Sequence, residues 1–396
     1  ALVALGNPQD KLPPVIHVAG TNGKGSTIAF MLAIAEAAGL RVHVFSKPHL
    51  FRLAERFVVA GEPANDETLI AAAERIATIA PHLTQFDAQV AAAFLLFNET
   101  PADLTLIETG MGGRDDSTNV LATPAITIIT SIGLDHQDAL GAGLSDIAAH
   151  KAGILKPGVP AIVARQADEV REVVEAVAAN IGAPLHMQGV DWDAYAAHGR
   201  LAVQTETETL DLPIPALAGA HQIDNAGLAV ASLAFGDFPI PNDAFAAGIS
   251  SARCPARLQP LTRGPFSAPI RALGGEVWVD AGHNAPAAAA LAHALRTMHA
   301  RRPAPTIVIV GMRARKEADS FVGALTGAAD HIIAVPLSEW HIAPALIAAT
   351  AAAMGIDTST APSLSAAMQN AAQFPAPRVL ICGSFLQAAE ALQAEG

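Results

Sequence analysis

The chain has 396 residues, 51% of them hydrophobic, and a formal net charge of −13. That is enough for a large core and more than one hydrophobic core usually organises, so two domains are expected. A net acidic chain excludes general nucleic-acid binding, which needs clustered Lys and Arg, but it leaves local phosphate sites open.

The two cysteines, Cys254 and Cys382, form neither a zinc pattern nor a disulfide framework, which suits a reducing cytoplasm. No run of about 20 uninterrupted apolar residues occurs, so no membrane span is expected. The N-terminal stretch ALVALGNPQDKLPP lacks the basic region and apolar run of a signal peptide. Its abrupt start leaves room for an upstream helix.

In chain order, short apolar runs alternate with alanine-rich helical stretches. A strand at residues 15–19 leads through a glycine loop into a helix at 26–38 stopped by Gly39, and a second strand follows at 41–45. That β-loop-α-β order is the unit of a parallel sheet. Further strands are expected at 104–108, 125–130 and 160–164, with helices at 65–79, 87–98, 144–153 and 169–181. From 185 to 212 the pattern changes to short strands with turns. Helices at 223–235 and near 243–251 come next. Residues 257–273 (RLQPLTRGPFSAPIRAL) are rich in Pro, Gly and Arg, and their middle reads as a linker. Then βα units restart, with strands at 277–280, 306–310, 331–335 and 378–382 and helices at 285–298, 320–325 and 343–354. No internal repeat is found.

Five stretches carry candidate chemistry. Residues 17–27 (HVAGTNGKGST) resemble a phosphate loop with one glycine too many, since the usual pattern is GxxxxGK[ST]. Glycines at 20, 23 and 25 let the backbone approach a ligand, the next helix offers free amides, and Lys24 adds a charge. The same residues also suit a plain strand-to-helix turn with a surface lysine. Residues 106–119 (LIETGMGGRDDSTN) put Glu108 at a strand's C-terminal end, where a carboxylate suits Mg²⁺ or caps the glycine turn. Asp115 and Asp116 also suit turn positions. Residues 131–137 (SIGLDHQ) offer Asp135 and His136 as a ligand and its orienting partner, although a lone His is more often structural. Lys151 lies in HKAGILK, near a helix end where lysine also favours the dipole. Residues 280–286 (DAGHNAP) end a strand in the second domain and suit either a nucleotide contact or a helix cap by Asn284.

The ordered set GTNGKGS, GxGGRxDxTN, LDH followed by KAGI, GAHQIDNA at 219–226, PxRL at 255–258, DxxHN and CGSF at 382–385 resembles the Mur-ligase-like amide ligases. More narrowly it resembles bifunctional dihydrofolate synthase/folylpolyglutamate synthases, from about residue 12 to 392. In that family the extra glycine of the loop is itself a signature. The resemblance implies a P-loop Mur-ligase-like parallel-sheet domain over residues 1–262 and a smaller Rossmann-like α/β domain over 263–396. It implies an enzyme that activates a carboxylate as an acyl phosphate with ATP and Mg²⁺ and joins it to L-glutamate. Dihydropteroate would be the first acceptor, and folates bearing glutamate the later ones. A cytoplasmic monomer without nucleic-acid or membrane partners is expected.

By motif match, Thr21, Asn22, Gly23, Lys24, Gly25 and Ser26 would hold the phosphates, and Asn225, Arg257 and Asp280 would bind ATP. Glu108, His136 and Lys151 would serve the metal, Lys151 as the lysine this family often carbamylates. Lys24, Lys151, His136 and His283 would carry the catalytic roles, with Asn284 beside His283. The pterin site would draw on Thr84, Phe86, Arg114 and Asp116, and the last two lean toward dihydropteroate use. ATP would bridge the domains, with closure about a linker at roughly residues 260–270. Four departures stand out. The family's S-S-P-H segment reads Ser46-Lys-Pro-His49, placing Lys47 where a hydroxyl would face magnesium. An ammonium has no lone pair and cannot ligate a cation. An inward Lys47 repels Mg²⁺ or replaces one of two ions, and an outward one leaves Ser46 or water to fill the shell. Thr84–Asp87 ends in a shorter carboxylate than the family's, Lys316-Glu317 replaces K-D, and His150 replaces Glu. Two alternatives remain in view: a Mur-type ligase acting on another carboxylate, and an ATP-binding paralogue with impaired catalysis.

Overall fold

The computed structural model describes residues 1–206 and 208–396. They divide into two compact units, one comprising Ala1–Ala216 and Gln222–Arg253, the other Leu217–His221 and Cys254–Gly396.

The first unit is built on an eight-stranded sheet of β1 (Val15–Ala19), β2 (Val42–Phe45), β3 (Phe57–Val59), β4 (Glu62–Pro63), β5 (Leu104–Glu108), β6 (Ile126–Ile129), β7 (Ala161–Val163) and β8 (Leu185–Met187). Their order is β4-β3-β2-β5-β1-β6-β7-β8. From β2 through β8 the neighbours run parallel, and β3 and β4 extend the edge as an antiparallel hairpin. Every residue of β1, β5 and β6 is buried, which is why these strands read as largely apolar runs broken by a few buried polar residues (His17, Thr105, Glu108 and Thr127) rather than as a regular polar face. The helix Lys24–Ala37 follows β1 and packs against the helix Asn242–Ser251. A Cβ at Gly248 would lie 2.4 Å from the Ile34 backbone, so only glycine permits this approach. Strands β9 (Trp192–Ala197), β10 (Arg200–Thr205) and β11 (Thr209–Pro213) form a separate antiparallel sheet.

In the second unit, β12 (Gln259–Leu261), β13 (Glu276–Val279), β14 (Thr306–Val310), β15 (His331–Ala334), β16 (Asp357–Thr360) and β17 (Arg378–Cys382) form a sheet in the order β12-β13-β17-β14-β15-β16. All neighbours are parallel except β12 on β13. Its core joins Leu291, Leu295, Val308, Phe321, Ile332 and Leu380.

One sequence-based expectation is corrected here. The stretch whose middle read as a linker carries β12 before that middle and the helix Ser267–Ala272 after it, and the middle itself is tied down. Glu395 pins it from the far end of the chain, accepting from the amides of Gly264 at 2.8 Å and Ser267 at 3.1 Å. A short-range reading could not see a partner more than a hundred residues away. The Pro and Gly content reflects close packing, since a Cβ at Gly264 would lie 2.0 Å from the Glu395 carbonyl oxygen.

Candidate active site

The parallel strands of the first unit deliver their loops to one edge of the sheet. Ligands of open α/β sheets bind at that edge, beyond the carboxyl ends of the strands. The loop after β1 is tied to the segment after β6. The amides of Thr21 and Asn22 donate to the Ser131 carbonyl at 2.9 and 3.2 Å. Thr130 Oγ1 donates to the Asn22 carbonyl at 2.7 Å, and Thr21 Oγ1 to that of Gly133 at 3.0 Å. Gly20 makes this possible: a Cβ there would fall 1.8 Å from Thr130 Oγ1. Gly23, at φ +91°, precedes the first helical residue, and its missing side chain leaves space for Asn225 Oδ1. The loop therefore ends at the N-terminus of a 14-residue helix. The first turn of a helix carries amides without intrahelical acceptors, together with the positive end of the dipole.

The helix His221–Phe235 supports the loop from the side. Asn225 Nδ2 donates to Gln222 Oε1 at 2.9 Å, and Gln222 Nε2 donates to Ser26 Oγ at 3.3 Å. All three residues are buried. Gln222 and Thr130 are positioning residues that the sequence reading did not single out. Gln222 lay inside the quoted GAHQIDNA stretch. Nothing local marked Thr130, which matters only because β6 lies beside β1.

Glu108 ends β5 and is 3% exposed. Its Oε1 lies 4.0 Å from Lys24 Nζ, and its Oε2 accepts from the Lys47 amide at 3.1 Å. Lys24 Nζ donates to the carbonyls of Gly20 (2.9 Å) and Thr21 (3.2 Å). Lys151 is 5% exposed, and its Nζ donates to the Gly20 carbonyl at 2.9 Å. Burial, reinforced by the Lys24 charge, brings the Lys151 ammonium down to about 7. Lys47 is lowered to about 8 by burial and then by Lys24. Its backbone is held at Glu108, and the residue is half-buried. Lys24, Glu108, Lys151 and Lys47 thus converge around the Gly20 loop.

His136 occupies the segment after β6 at φ +54°, with its ring 3.9 Å from the Asp135 carboxylate. Among the described residues, no group of three or more His, Cys, Asp or Glu side chains is placed to hold a metal ion. The Glu108 carboxylate and the Ser26 hydroxyl are oxygen donors at the loop and would suit a hard divalent cation.

Of the residues expected at the pterin, Phe86 and Asp116 meet at Gly110, where a Cβ would lie 2.3 and 2.8 Å from them. Asp116 is engaged by its own turn, accepting from the Met111 amide and from Thr118 Oγ1, each at 2.6 Å. Thr84 caps the helix Gln85–Glu99, and its hydroxyl donates to Asp87 at 2.6 Å. Asp87 has the shorter side chain noted above, yet it completes this box and accepts from Ser117. Arg114 pairs with Asp115 at 3.0 Å and stands exposed.

In the second unit, Asp280 fixes the backbone around Arg257. It accepts from the amides of Leu258 (2.7 Å) and Gly282 (2.6 Å). Ala256 and Leu258 on either side of Arg257 have φ of +57° and +40°, a strained conformation for residues with side chains. The Arg257 guanidinium lies 5.1 Å from the Phe385 ring centroid, and the His283 ring 5.6 Å from it. Asn284 caps the helix Ala285–Arg301 through the Ala287 amide.

A phosphate loop with a strand-end carboxylate, followed by a second parallel α/β unit, is the arrangement of a Mur-type ligase. The Mur ligase middle domain matches residues 18–233, and the Mur ligase glutamate ligase domain matches residues 269–385. The chain is 32% identical to the dihydrofolate synthase/folylpolyglutamate synthase of Escherichia coli K12, across 96% of this chain and 86% of that one. It is 31% identical to the folylpolyglutamate synthase of Lacticaseibacillus casei, across 85% and 79%. The solved structure of E. coli FolC in complex with ADP superposes with a TM-score of 0.89 at 29% identity, covering 99% of this chain and 91% of that one. The chain therefore belongs to the dihydrofolate synthase/folylpolyglutamate synthase family, and it is an ATP-dependent amide-forming ligase.

Proposed function

We propose that this ligase adds L-glutamate to dihydropteroate and to folates already bearing glutamate, and that Mg²⁺ is its divalent cation. The observation that carries the reading is the convergence of Lys24, Glu108 and Lys151 on the Gly20 loop. Support also comes from two solved relatives. One is E. coli FolC in complex with DHPP and ADP, at 29% identity. The other is a bifunctional folylpolyglutamate synthase/dihydrofolate synthase with Mn, AMPPNP and L-glutamate bound, at 28% identity.

The glycines and the helix Lys24–Ala37 hold the nucleotide phosphates. An oxygen of the substrate carboxylate bonds to the γ-phosphorus as the bond to the β–γ bridging oxygen breaks and ADP leaves. The neutral amine of glutamate then adds to the acyl carbon, and the tetrahedral intermediate expels phosphate. Negative charge moves between oxygens in both steps, so fixed cations and alignment supply the main stabilisation. Lys24 and Lys47 bring that charge from this chain. Glu108 and Ser26 would hold the divalent ion, which would supply further charge neutralisation to the phosphates. Lys151 reaches the same loop, and as its carbamate it would offer an oxygen ligand in place of an amine. Phe86 beside Gly110 gives the pteridine an apolar face.

The test is ADP release from dihydropteroate, L-glutamate and ATP under Mg²⁺ titration, leaving out each substrate in turn. Release that needs all three, with a product heavier by one glutamate, is expected. ADP release indifferent to dihydropteroate and to folates would end this substrate reading.

A further inference from the structure

Lys47 departs from the family pattern, and the structure shows where it goes. The residue follows β2 at the ligand edge of the sheet, and its amide is held by the buried Glu108 carboxylate at 3.1 Å. Its side chain is partly buried. Burial, and after it the nearby charge of Lys24, lowers the pKa of its ammonium. Lys24 Nζ lies 4.0 Å from the Glu108 carboxylate that holds the Lys47 amide, and Lys24 and Lys151 share the Gly20 carbonyl, so three lysines gather at the phosphate loop. Like charges brought together repel, and burial sharpens the repulsion. Such crowding becomes favourable when a polyanion enters, because its oxygens accept from the Lys24 and Lys47 ammoniums. Room for cations is correspondingly limited. An ammonium has no lone pair to offer a metal, and the described residues hold no group of three metal-ligating side chains nearby or elsewhere.

We propose that the Lys47 ammonium is a built-in cation of the phosphate site, binding the terminal phosphate of the nucleotide in place of one of two divalent ions, so that this enzyme works with a single one. Lys47 is then a catalytic residue that touches the transferred group. Its charge is fixed by the chain rather than drawn from solution. The proposal rests on the reading that a nucleoside triphosphate fills the loop, and not on which carboxylate is extended.

The test counts ions directly. Mn²⁺ is titrated into the full chain with saturating AMPPNP, and unbound Mn²⁺ is read by electron paramagnetic resonance. One ion per chain is expected for the unaltered protein, and two for Lys47→Ser, which removes the charge and opens the space. Lys47→Gln keeps the length and tests the charge alone. It should bind AMPPNP about tenfold more weakly, the loss of one charged hydrogen bond, with ADP affinity nearly unchanged. Two ions on the unaltered protein would overturn the proposal. So would equal losses of AMPPNP and ADP affinity in Lys47→Gln, or a Lys47→Ser protein that keeps both one ion and the original AMPPNP affinity. Failure of the unaltered protein to bind AMPPNP would sink this proposal and the ligase reading together. One bound ion in a protein that makes no dihydrofolate would remove only the substrate assignment.

Discussion

Lys24 and Lys151 donate to the same carbonyl oxygen, that of Gly20, each at 2.9 Å. Burial disfavours the charged form of Lys151, the Lys24 ammonium on the same acceptor adds repulsion, and Lys151 falls to about 7. Near neutral pH much of it is then an amine with a lone pair, which is the form that attacks carbon dioxide. We expect protein in ¹³C-bicarbonate at pH 8 to show one carbamate signal by ¹³C NMR, absent from Lys151→Met. A spectrum identical for the two proteins would leave Lys151 as an amine and remove it from the metal's ligands.

Gly20 also sets the close contact between the loops after β1 and β6. A Cβ 1.8 Å from Thr130 Oγ1 cannot be relieved by a small rotation, because that hydroxyl is already held by the Asn22 carbonyl. Gly20→Ala should lose about 2 kcal/mol or more of stability and should bind nucleotide poorly even where it folds. Urea denaturation and ATP titration check both parts, and an unchanged midpoint would show that the loops part easily.

His17 in β1 is fully buried, and its Nε2 meets Thr118 Oγ1 at 2.8 Å. The Thr118 hydroxyl donates to Asp116, so His17 Nε2 carries the proton and donates to Thr118. Burial holds this imidazole down at about 4, against an ordinary 6.5. Between those values the unfolded chain binds more protons than the folded one. Stability present above pH 6.5 is therefore lost as pH falls toward 4, by about 3 kcal/mol for this group. His17→Gln keeps a donor for Thr118 and should lose that much less over the same range. Parallel stability curves for the two proteins would assign the acid sensitivity to other groups.

Asp280 restrains two backbone amides, that of Leu258 beside Arg257 and that of Gly282. Asp280→Asn would turn an amide donor toward one of them, costing about 1–3 kcal/mol. It would also release the positive φ of Ala256 and Leu258. We expect weaker ATP binding as well as a lower denaturation midpoint. Loss of stability with unchanged ATP affinity would confine Asp280 to a structural part.

The candidate site was legible to different depths. Glu108 could be placed at a strand end because LTLI is a short β-prone, mostly apolar run that stops at a carboxylate. The glycine loop could be read from its position between a strand and a helix. Asp116 was less legible, since its spacing suited both a ligand contact and the turn that it in fact completes. The hairpin of β3 and β4, the strand Asp357–Thr360 and the helix Phe385–Glu395 escaped the sequence reading. Their segments are short or carry weak periodicity, and their ladder partners or packing surfaces lie elsewhere in the chain.

What the sequence determined by itself was the order of the βα units, the phosphate loop and the family signature. These depend on residue type and local spacing, through hydrophobic period, glycine freedom and the fixed offsets of a motif. What only the tertiary structure decided was that the Lys47 backbone is held at Glu108, that Lys24 and Lys151 share one carbonyl, and that Glu395 clasps Arg263, Gly264 and Ser267 in the middle of the stretch read as a linker. Each of those depends on where a distant strand or helix places its side chains, and on the burial that follows. Neither quantity is written in the neighbouring residues.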